Sequence, residues 1–186
     1  MIAWILAPLG VVFALVVWAI AIYNRLVKRT AMVEEGWSGI DTQLKRRANL
    51  IPNLVETVKG YMGHERETLE SVVKARGESL EAGSVGDQGI AESHLRAALG
   101  KLFALAEAYP DLKASANFTE LQGALQTVED EIQLSRRYYN GTVRDLNVLV
   151  DSFPSNLVAT SFDFRKAEFF EIDDAADRAV PEVDFP

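Results

Sequence analysis

The sequence contains no cysteine and only two histidines, His64 and His94, among its 186 residues. The absence of cysteine excludes disulfides, thiolate zinc sites and a cysteine nucleophile. Tyr61 and Ala91 stand three positions before the histidines, so the Glu-x-x-His pairs of di-iron helical bundles are missing. Acidic residues outnumber basic ones by 27 to 19, and nucleic-acid binding requires the opposite balance. We therefore expect no metal site, no cofactor and no nucleic-acid partner.

Sequence motifs of catalysis are missing as well. The chain has no Gly-x-Ser-x-Gly elbow, no His-Glu-x-x-His and no Gly-x-x-x-x-Gly-Lys phosphate loop. The carboxylates of Glu129, Asp130 and Glu131 are consecutive, and consecutive residues of a helix point in different directions. We predict that the protein is not an enzyme and assign no catalytic residue.

No charged side chain precedes Arg25. Residues 2–23 form 22 uncharged, mostly apolar positions, which as a helix extend roughly 33 Å and exceed a hydrocarbon core of about 30 Å. Aromatic residues near both ends of this run suit the water–lipid interface. We predict a transmembrane anchor over residues 1–24. Four residues mark its span: Ile2, Trp4, Trp18 and Tyr23.

A cleaved signal peptide is the alternative interpretation of this run. Ala19-Ile20-Ala21 loosely resembles a small-residue cleavage site. The positions before the run lack Lys and Arg, and the run is longer than a typical signal-peptide core of about 7–15 residues. Both features favour a retained anchor.

The flanking charges predict the orientation of the anchor. Three membrane-proximal basic residues follow the run at once: Arg25, Lys28 and Arg29. Because positive charge is retained on the cytoplasmic side, we expect the N-terminus outside and residues 25–186 in the cytoplasm of a bacterial cell, as a single-pass inner-membrane protein.

The charge changes sign along the rest of the chain. Residues 25–76 carry 10 basic and 7 acidic groups, a net +3, whereas residues 77–186 carry 9 and 20, a net −11. This asymmetry suits a leaflet of anionic lipids, and it equally suits attraction between antiparallel helices. The basic runs 45–47 and 136–137 are interpreted as solvated helix faces. Residues 173–186, with five acidic groups, predict a flexible acidic tail.

Apolar residues recur every three or four positions in two long stretches, as in amphipathic helices. The first stretch runs from Val33 to Met62, and Pro52 within it predicts a kink or a break near Leu50–Ile51. The glycine-rich residues 83–89 predict a connecting loop.

A shorter helix is predicted from Ile90 to Ala108. The second long helix is predicted to start at the capping-box-like pair of Asn117 and Glu120 and to end at Phe153-Pro154. No stretch alternates between apolar and polar residues as a β-strand with one buried face does. The predicted fold is all-α, an N-terminal transmembrane helix followed over residues 25–172 by an antiparallel helical bundle with two long helices.

Polar residues interrupt the apolar stripes of both long helices. Tyr139, Asn140 and Asn147 lie in the second helix, and Asn49 and Asn53 in the first. Buried polar groups need hydrogen-bond partners. We predict that these five residues form a polar network that fixes the helix register, rather than a ligand site.

The sequence resembles the LemA family over almost its whole length. The residues that carry the resemblance lie in segments 23–27, 33–37, 40–47, 50–61, 137–140, 152–159 and 169–171. Leu146 and Asp163 depart from the family pattern, which usually has tyrosine and glycine there. The resemblance implies a bacterial membrane protein with one N-terminal span and a cytoplasmic helical bundle. Relatives are associated with magnetosome membranes or occur beside membrane proteases, and no catalytic residue carries over.

Two hypotheses for function follow. The first is a structural or scaffolding protein of the inner membrane, which forms a homo-oligomer through its long coiled-coil-like helices and bends the lipid bilayer. The second is a membrane-tethered adaptor that presents its acidic bundle to a membrane-protein partner such as a protease.

Overall fold

The computed structural model describes residues 2–61 and 65–172. The described chain is helical and contains no strand, which confirms the all-α class. Six helices follow one another in this order: α1 (Ile2–Lys59), α2 (Arg66–Glu81), α3 (Val85–Ala106), α4 (Pro110–Lys113), α5 (Ala116–Asp151) and α6 (Ser155–Ser161). The two long helices of the prediction are α1 and α5. His64 and the predicted acidic tail, residues 173–186, lie outside the described residues.

The chain divides into two compact units. The span unit comprises residues 2–39 and 135–168, and the bundle unit comprises residues 40–134 with 169–172. The span unit therefore contains the apolar N-terminal run, the second half of α5, and α6. The bundle unit contains α2, α3 and α4 with the remaining parts of α1 and α5.

In the span unit, α1 and α5 run antiparallel. Arg29 Nη1 lies 3.0 Å from Asp145 Oδ2, and the rings of Trp37 and Tyr139 lie 5.4 Å apart between centroids. A higher residue number in α1 therefore pairs with a lower one in α5, as antiparallel helices require. The buried residues between them recur at helical spacing, as the apolar pattern predicts. They are Leu26, Val33, Tyr139, Val143 and Leu146.

In the bundle unit, all five contributing helices supply side chains to one apolar core. Removal of these side chains from water is the main favourable contribution to the stability of such a bundle. The core contains Ile51, Leu54, Val55, Val58, Leu69, Val72, Ala75, Leu95, Ala98, Leu99, Leu102, Ala106, Leu112, Phe118 and Leu125. Four core residues, Ile51, Leu54, Val55 and Val58, come from the apolar stretch predicted for the first long helix.

Pro52 does not break α1, which continues from Ile2 to Lys59. Of the two alternatives predicted near Leu50–Ile51, a kink or a break, the structure therefore excludes the break. Proline removes one backbone donor, whereas Ile51 and Leu54 on either side are fully buried and hold this turn against the core. The helix instead ends after Lys59, and a separate α2 starts at Arg66.

The predicted loop at residues 83–89 is shorter than expected. Ser84 caps α3, because its Oγ accepts a hydrogen bond of 3.0 Å from the Asp87 backbone N–H, and the helix begins at Val85. Gly89 consequently lies inside α3, where the backbone carbonyl of Glu171 occupies the space of a Cβ atom. This glycine serves close packing rather than a turn.

The start of α5 also differs slightly from the prediction. The helix begins at Ala116, so Asn117 lies in its first turn instead of capping it. The Thr119 backbone N–H donates to the Ser115 carbonyl at 3.1 Å, so this helical hydrogen bond is accepted two residues before the predicted box. The end of α5 agrees with the prediction, because the helix stops at Asp151, just before Phe153-Pro154.

Candidate membrane-contact site

One helix in the described part of the chain is long and apolar enough to cross a membrane. It is α1, whose most apolar window has a mean hydropathy of 2.0, with 6% of that window buried by protein. Trp18 and Tyr23 expose 39% and 37% of their surface, and Ile2 and Trp4 belong to the same helix. A continuous apolar surface of this size requires a partner other than water, and its length matches a bilayer.

An aromatic cluster stands at the end of this apolar run. The ring of Tyr23 meets Phe162 edge-on at 4.9 Å and Phe164 at 5.5 Å between centroids. Such edge-to-face pairs are favourable aromatic contacts. The chain that leaves α6 is thereby held beside the last residue of the run.

The segment around α6 carries no charge. Residues 152–162 lack any charged side chain, although 25% of the sequence is charged. Ser155, Val158 and Ala159 form the buried face of α6. Three large apolar residues are exposed instead, and we call them the α6 edge: Phe153 at 80%, Leu157 at 57% and Phe162 at 61%.

The charges that flank the α6 edge are paired. Lys166 Nζ lies 3.1 Å from Asp151 Oδ2, and Arg165 Nη2 lies 3.0 Å from Asp163 Oδ2. Both pairs are exposed, so they contribute little to stability. Their effect is to neutralise the two aspartates that border the uncharged segment.

Two of the three predicted membrane-proximal basic residues, Arg25 and Arg29, line a shallow cationic cleft of about 190 Å³. Arg25 and Lys28 are exposed, and Arg29 is half-buried and paired with Asp145. The cleft adds a basic residue from α5 that the sequence analysis did not single out, Arg144. Three guanidinium groups against one carboxylate can bind an anionic group such as a phosphate. The lining residues are Arg25, Arg29, Arg144, Asp145, Val148 and Leu149.

Tyr139 and Asn147 bind the backbone of the segment after α6. The Tyr139 hydroxyl donates to the Glu168 carbonyl at 2.8 Å. Asn147 makes two bonds with Ala167, donating to its carbonyl at 3.0 Å and accepting from its N–H at 2.8 Å. Burial raises the pKa of Tyr139, and the nearby charge of Glu168 raises it further. These side chains therefore hold the last residues of the span unit, Ala167 and Glu168, against α5.

The five residues of the predicted register network differ in burial. Tyr139 is buried, and Asn140 and Asn147 are half-buried. Asn49 and Asn53 are exposed residues of the bundle unit, so the structure gives neither of them the buried environment that the network requires. Their positions fall outside the buried stripe of α1, which Ala48, Ile51 and Leu54 occupy in this region.

The bundle unit contains a buried ionic cluster. Arg47, only 3% exposed, pairs with Glu92 and, at 2.8 Å, with Glu129. Arg96 pairs with Glu129 at 2.7 Å, and Ser79 donates to Glu92 at 2.6 Å. The interpretation of residues 45–47 as a solvated face is therefore wrong for Arg47. Its carboxylate partners are distant in sequence and left no local signal.

The charges in this cluster balance each other. Burial lowers the pKa of Arg47, although the charge of Glu129 opposes the shift. Burial alone would raise the pKa of Glu129, but the hydrogen bond from Gln133 and the charges of Arg47 and Arg96 outweigh it, so that pKa is lowered. Two cations face Glu92 and Glu129, so loss of either carboxylate would leave positive charge in the cluster without its partner, which is strongly destabilising.

An open cavity of about 450 Å³ adjoins the ionic cluster. Among the described residues, no group of three or more His, Cys, Asp or Glu side chains is arranged to hold a metal ion. The cavity walls combine the cluster with apolar and amide side chains. They are Arg47, Arg96, Leu99, Gly100, Phe103, Gln122, Leu125, Gln126, Glu129 and Gln133.

Comparison with known proteins gives consistent matches. The model of the LemA family matches residues 36–185. Magnetosome protein MamQ 2 of Paramagnetospirillum magneticum is 26% identical over 184 residues, covering 85% of this chain and 68% of that protein. Magnetosome protein MamQ of Magnetospirillum gryphiswaldense is 25% identical with the same coverage. Protein LemA of Metamycoplasma hominis is 26% identical over 150 residues, covering 80% of this chain and 68% of its own.

Proposed function

The chain belongs to the LemA family, and we propose that it is a single-pass structural protein of the bacterial inner membrane that assembles with copies of itself and shapes the bilayer. The observation that carries this proposal is the absence of a break in α1 between the apolar run and the rest of the span unit. Residues 24–32, which connect the two, are helical throughout. The folded part of the span unit is therefore joined to the span without a flexible linker.

A continuous helix between the span and the folded part lets a membrane protein impose an orientation on the lipids around it. A continuous helix transmits tilt from the folded unit to the span, whereas a flexible linker would absorb it. The antiparallel contacts of Arg29 with Asp145 and of Trp37 with Tyr139 brace the same helix from the side. When identical braced protomers associate side by side at a fixed small angle, a ring closes and the bilayer beneath it bends.

The relatives support a membrane-associated role. Two of them carry the name magnetosome protein, and each matches 85% of this chain. The proposed topology has the N-terminus outside and residues 25–186 in the cytoplasm, as the positive-inside rule requires for Arg25, Lys28 and Arg29.

The topology is tested by a single cysteine, because the chain has none of its own. Gly83 is an exposed position, with open space where a side chain would go. Gly83→Cys should resist a membrane-impermeant maleimide in intact cells and react once the cells are broken. Reaction in intact cells would reverse the topology.

The assembly is tested by single-particle electron microscopy of the full chain extracted into native-lipid particles. A large, regular, closed assembly is the expected result. Isolated protomers would contradict the scaffolding function.

The same experiment separates the second candidate, a membrane-tethered adaptor. The net charge of −11 over residues 77–186 favours this candidate, because it offers an acidic surface to a basic partner. Particles that hold one protomer with a second protein, such as a membrane protease, would favour the adaptor over the scaffold.

A further inference from the structure

We propose that the α6 edge is a second membrane contact, which inserts Phe153, Leu157 and Phe162 into the interfacial region of the leaflet from which Tyr23 emerges. The proposal goes beyond self-assembly and depends only on α1 acting as the span. It concerns the span unit alone, to which all these residues belong.

The aromatic cluster sets the depth of the α6 edge. Tyr23 ends the apolar run, and tyrosine rings in membrane proteins favour the boundary between headgroups and acyl chains. The ring of Phe162 lies 4.9 Å from that of Tyr23, so the two rings occupy the same level along the span. Phe162 and the end of α6 therefore lie at the boundary whenever α1 crosses the bilayer.

The composition of the segment suits this location. Three large apolar side chains are exposed within residues 152–162, and none of the eleven residues is charged. Exposure of these side chains to water is unfavourable, whereas their burial among lipid chains at the interface is favourable. Aromatic and leucine side chains are typical of segments that lie in the membrane surface.

The two serine hydroxyls of α6 have hydrogen-bond partners within the span unit. Ser161 Oγ donates to the Leu157 carbonyl at 2.7 Å, and Ser155 Oγ donates to the Leu149 carbonyl at 2.7 Å. Polar groups with internal hydrogen bonds cost less to remove from water than unpaired ones. The exposed face of α6 can therefore enter the interface without leaving these serines unpaired.

The charges around the α6 edge complement a phospholipid surface. Asp151 and Asp163 are neutralised by Lys166 and Arg165, so the border of the segment does not repel lipid phosphates. The cationic cleft, which contains Arg25 and Arg144 in the same unit, adds attraction to anionic headgroups. A lipid surface explains both the exposed apolar residues and the neighbouring arginines.

The experiment measures depth with a fluorophore at a single cysteine in the full chain. Leu157→Cys probes the α6 edge and is an exposed position. Glu35→Cys is the matched control, exposed in the same unit and about 18 Å beyond Tyr23 along α1. Each variant carries the environment-sensitive dye NBD and is reconstituted into vesicles of phosphatidylethanolamine and phosphatidylglycerol. Quenching by iodide reports water, and quenching by lipids with a doxyl group near the headgroup reports the interface.

We expect the dye at position 157 to be quenched several-fold more by doxyl lipid and several-fold less by iodide than the dye at position 35. Equal iodide quenching at the two positions would overturn the proposal. Protection that disappears when the protein is diluted further in lipid would also overturn it, because the occupant would then be a second copy of the chain.

A third variant separates this result from failure of the anchor itself. Val16→Cys lies within the apolar run, and its dye should be protected from iodide whether or not the α6 edge inserts. Protection at position 16 without protection at 157 contradicts the α6 contact alone. Loss of protection at both positions contradicts the span and with it the proposed function.

Discussion

Tyr23 and Phe162 stack edge-on with their ring centroids 4.9 Å apart. The pair joins the end of the apolar run to the chain that leaves α6. Asn147 and Tyr139 fix the following residues against α5 by bonds to the backbone of Ala167 and Glu168. These contacts hold residues 162–168 against α1 and α5 of the span unit.

The first prediction concerns the close approach of α1 and α5. A Cβ atom on Gly36 would lie 3.2 Å from the Cα of Tyr139, a backbone atom that cannot yield without moving the helix. Gly36→Ala should destabilise the protein by about 1–3 kcal/mol through overpacking. Gly39→Ala is the control, because nothing lies within 4 Å of that position. It should stabilise by about 0.5–1 kcal/mol. The melting temperature of each variant, measured by circular dichroism, tests this prediction. Shifts of the same sign in the two variants would contradict the close packing at Gly36.

The second prediction concerns the bonds that hold the segment after α6. Asn147→Ala removes both hydrogen bonds to Ala167 and leaves its N–H and carbonyl half-buried without partners. The expected loss is about 1–3 kcal/mol, together with faster amide exchange at Ala167. Asn53→Ala, at an exposed position of α1, should leave amide exchange at Ala167 unchanged and should not destabilise the protein, because alanine favours the helix. An equal effect of Asn53→Ala would instead support the original register network.

The third prediction concerns the buried ionic cluster. Glu92 is 1% exposed and is a partner of Arg47, which is itself almost completely buried. Glu92→Gln leaves that guanidinium undercompensated, at an expected cost of about 3–5 kcal/mol. Glu78→Gln is the control, because it removes a carboxylate from an exposed pair with His94 and should leave the melting temperature unchanged. Equal melting temperatures for the two variants would show that the cluster does not hold the bundle unit together.

The fourth prediction concerns the stability of the protein at acidic pH. The folded pKa of Glu129 lies below its ordinary value of 4.5, so its ionised form contributes stability above that pH. The contribution is lost as the pH falls from 4.5 through the lower, folded pKa. Glu129→Gln should therefore unfold with a shallower dependence on pH in this acidic range. Parallel curves for the variant and the parent chain would contradict the assignment.

The regular features of the fold were predictable from local pattern. The apolar run, the all-α class and both long helices follow from hydropathy and from spacing that repeats within a few residues. The start of α3 was harder to predict, because Gly86 and Gly89 ordinarily indicate a loop. The close carbonyl of Glu171, which explains Gly89, comes from a distant part of the chain.

The candidate site was predictable only in part, for a similar reason. Arg25, Lys28 and Arg29 are adjacent in sequence, so their cluster was evident. The contact of Tyr23 with Phe162 joins opposite ends of the chain, and Asn147 binds backbone atoms, which have no sequence signature. The eleven uncharged residues at 152–162 are the sequence signal that indicates the α6 edge.

The most direct test of the scaffolding account breaks the continuity of α1. A Gly-Ser-Gly-Ser insertion between Asn24 and Arg25 interrupts the helix where the apolar run ends, and the same insertion after Gly83, in an exposed connection, serves as the control. Electron cryomicroscopy of reconstituted vesicles then measures assembly and membrane curvature. The account predicts regular assemblies and altered vesicle curvature for the parent and control chains, and neither for the insertion after Asn24, although that variant remains in the membrane. Dispersed protomers in the parent, or unchanged assembly and curvature after the insertion at Asn24, would contradict it.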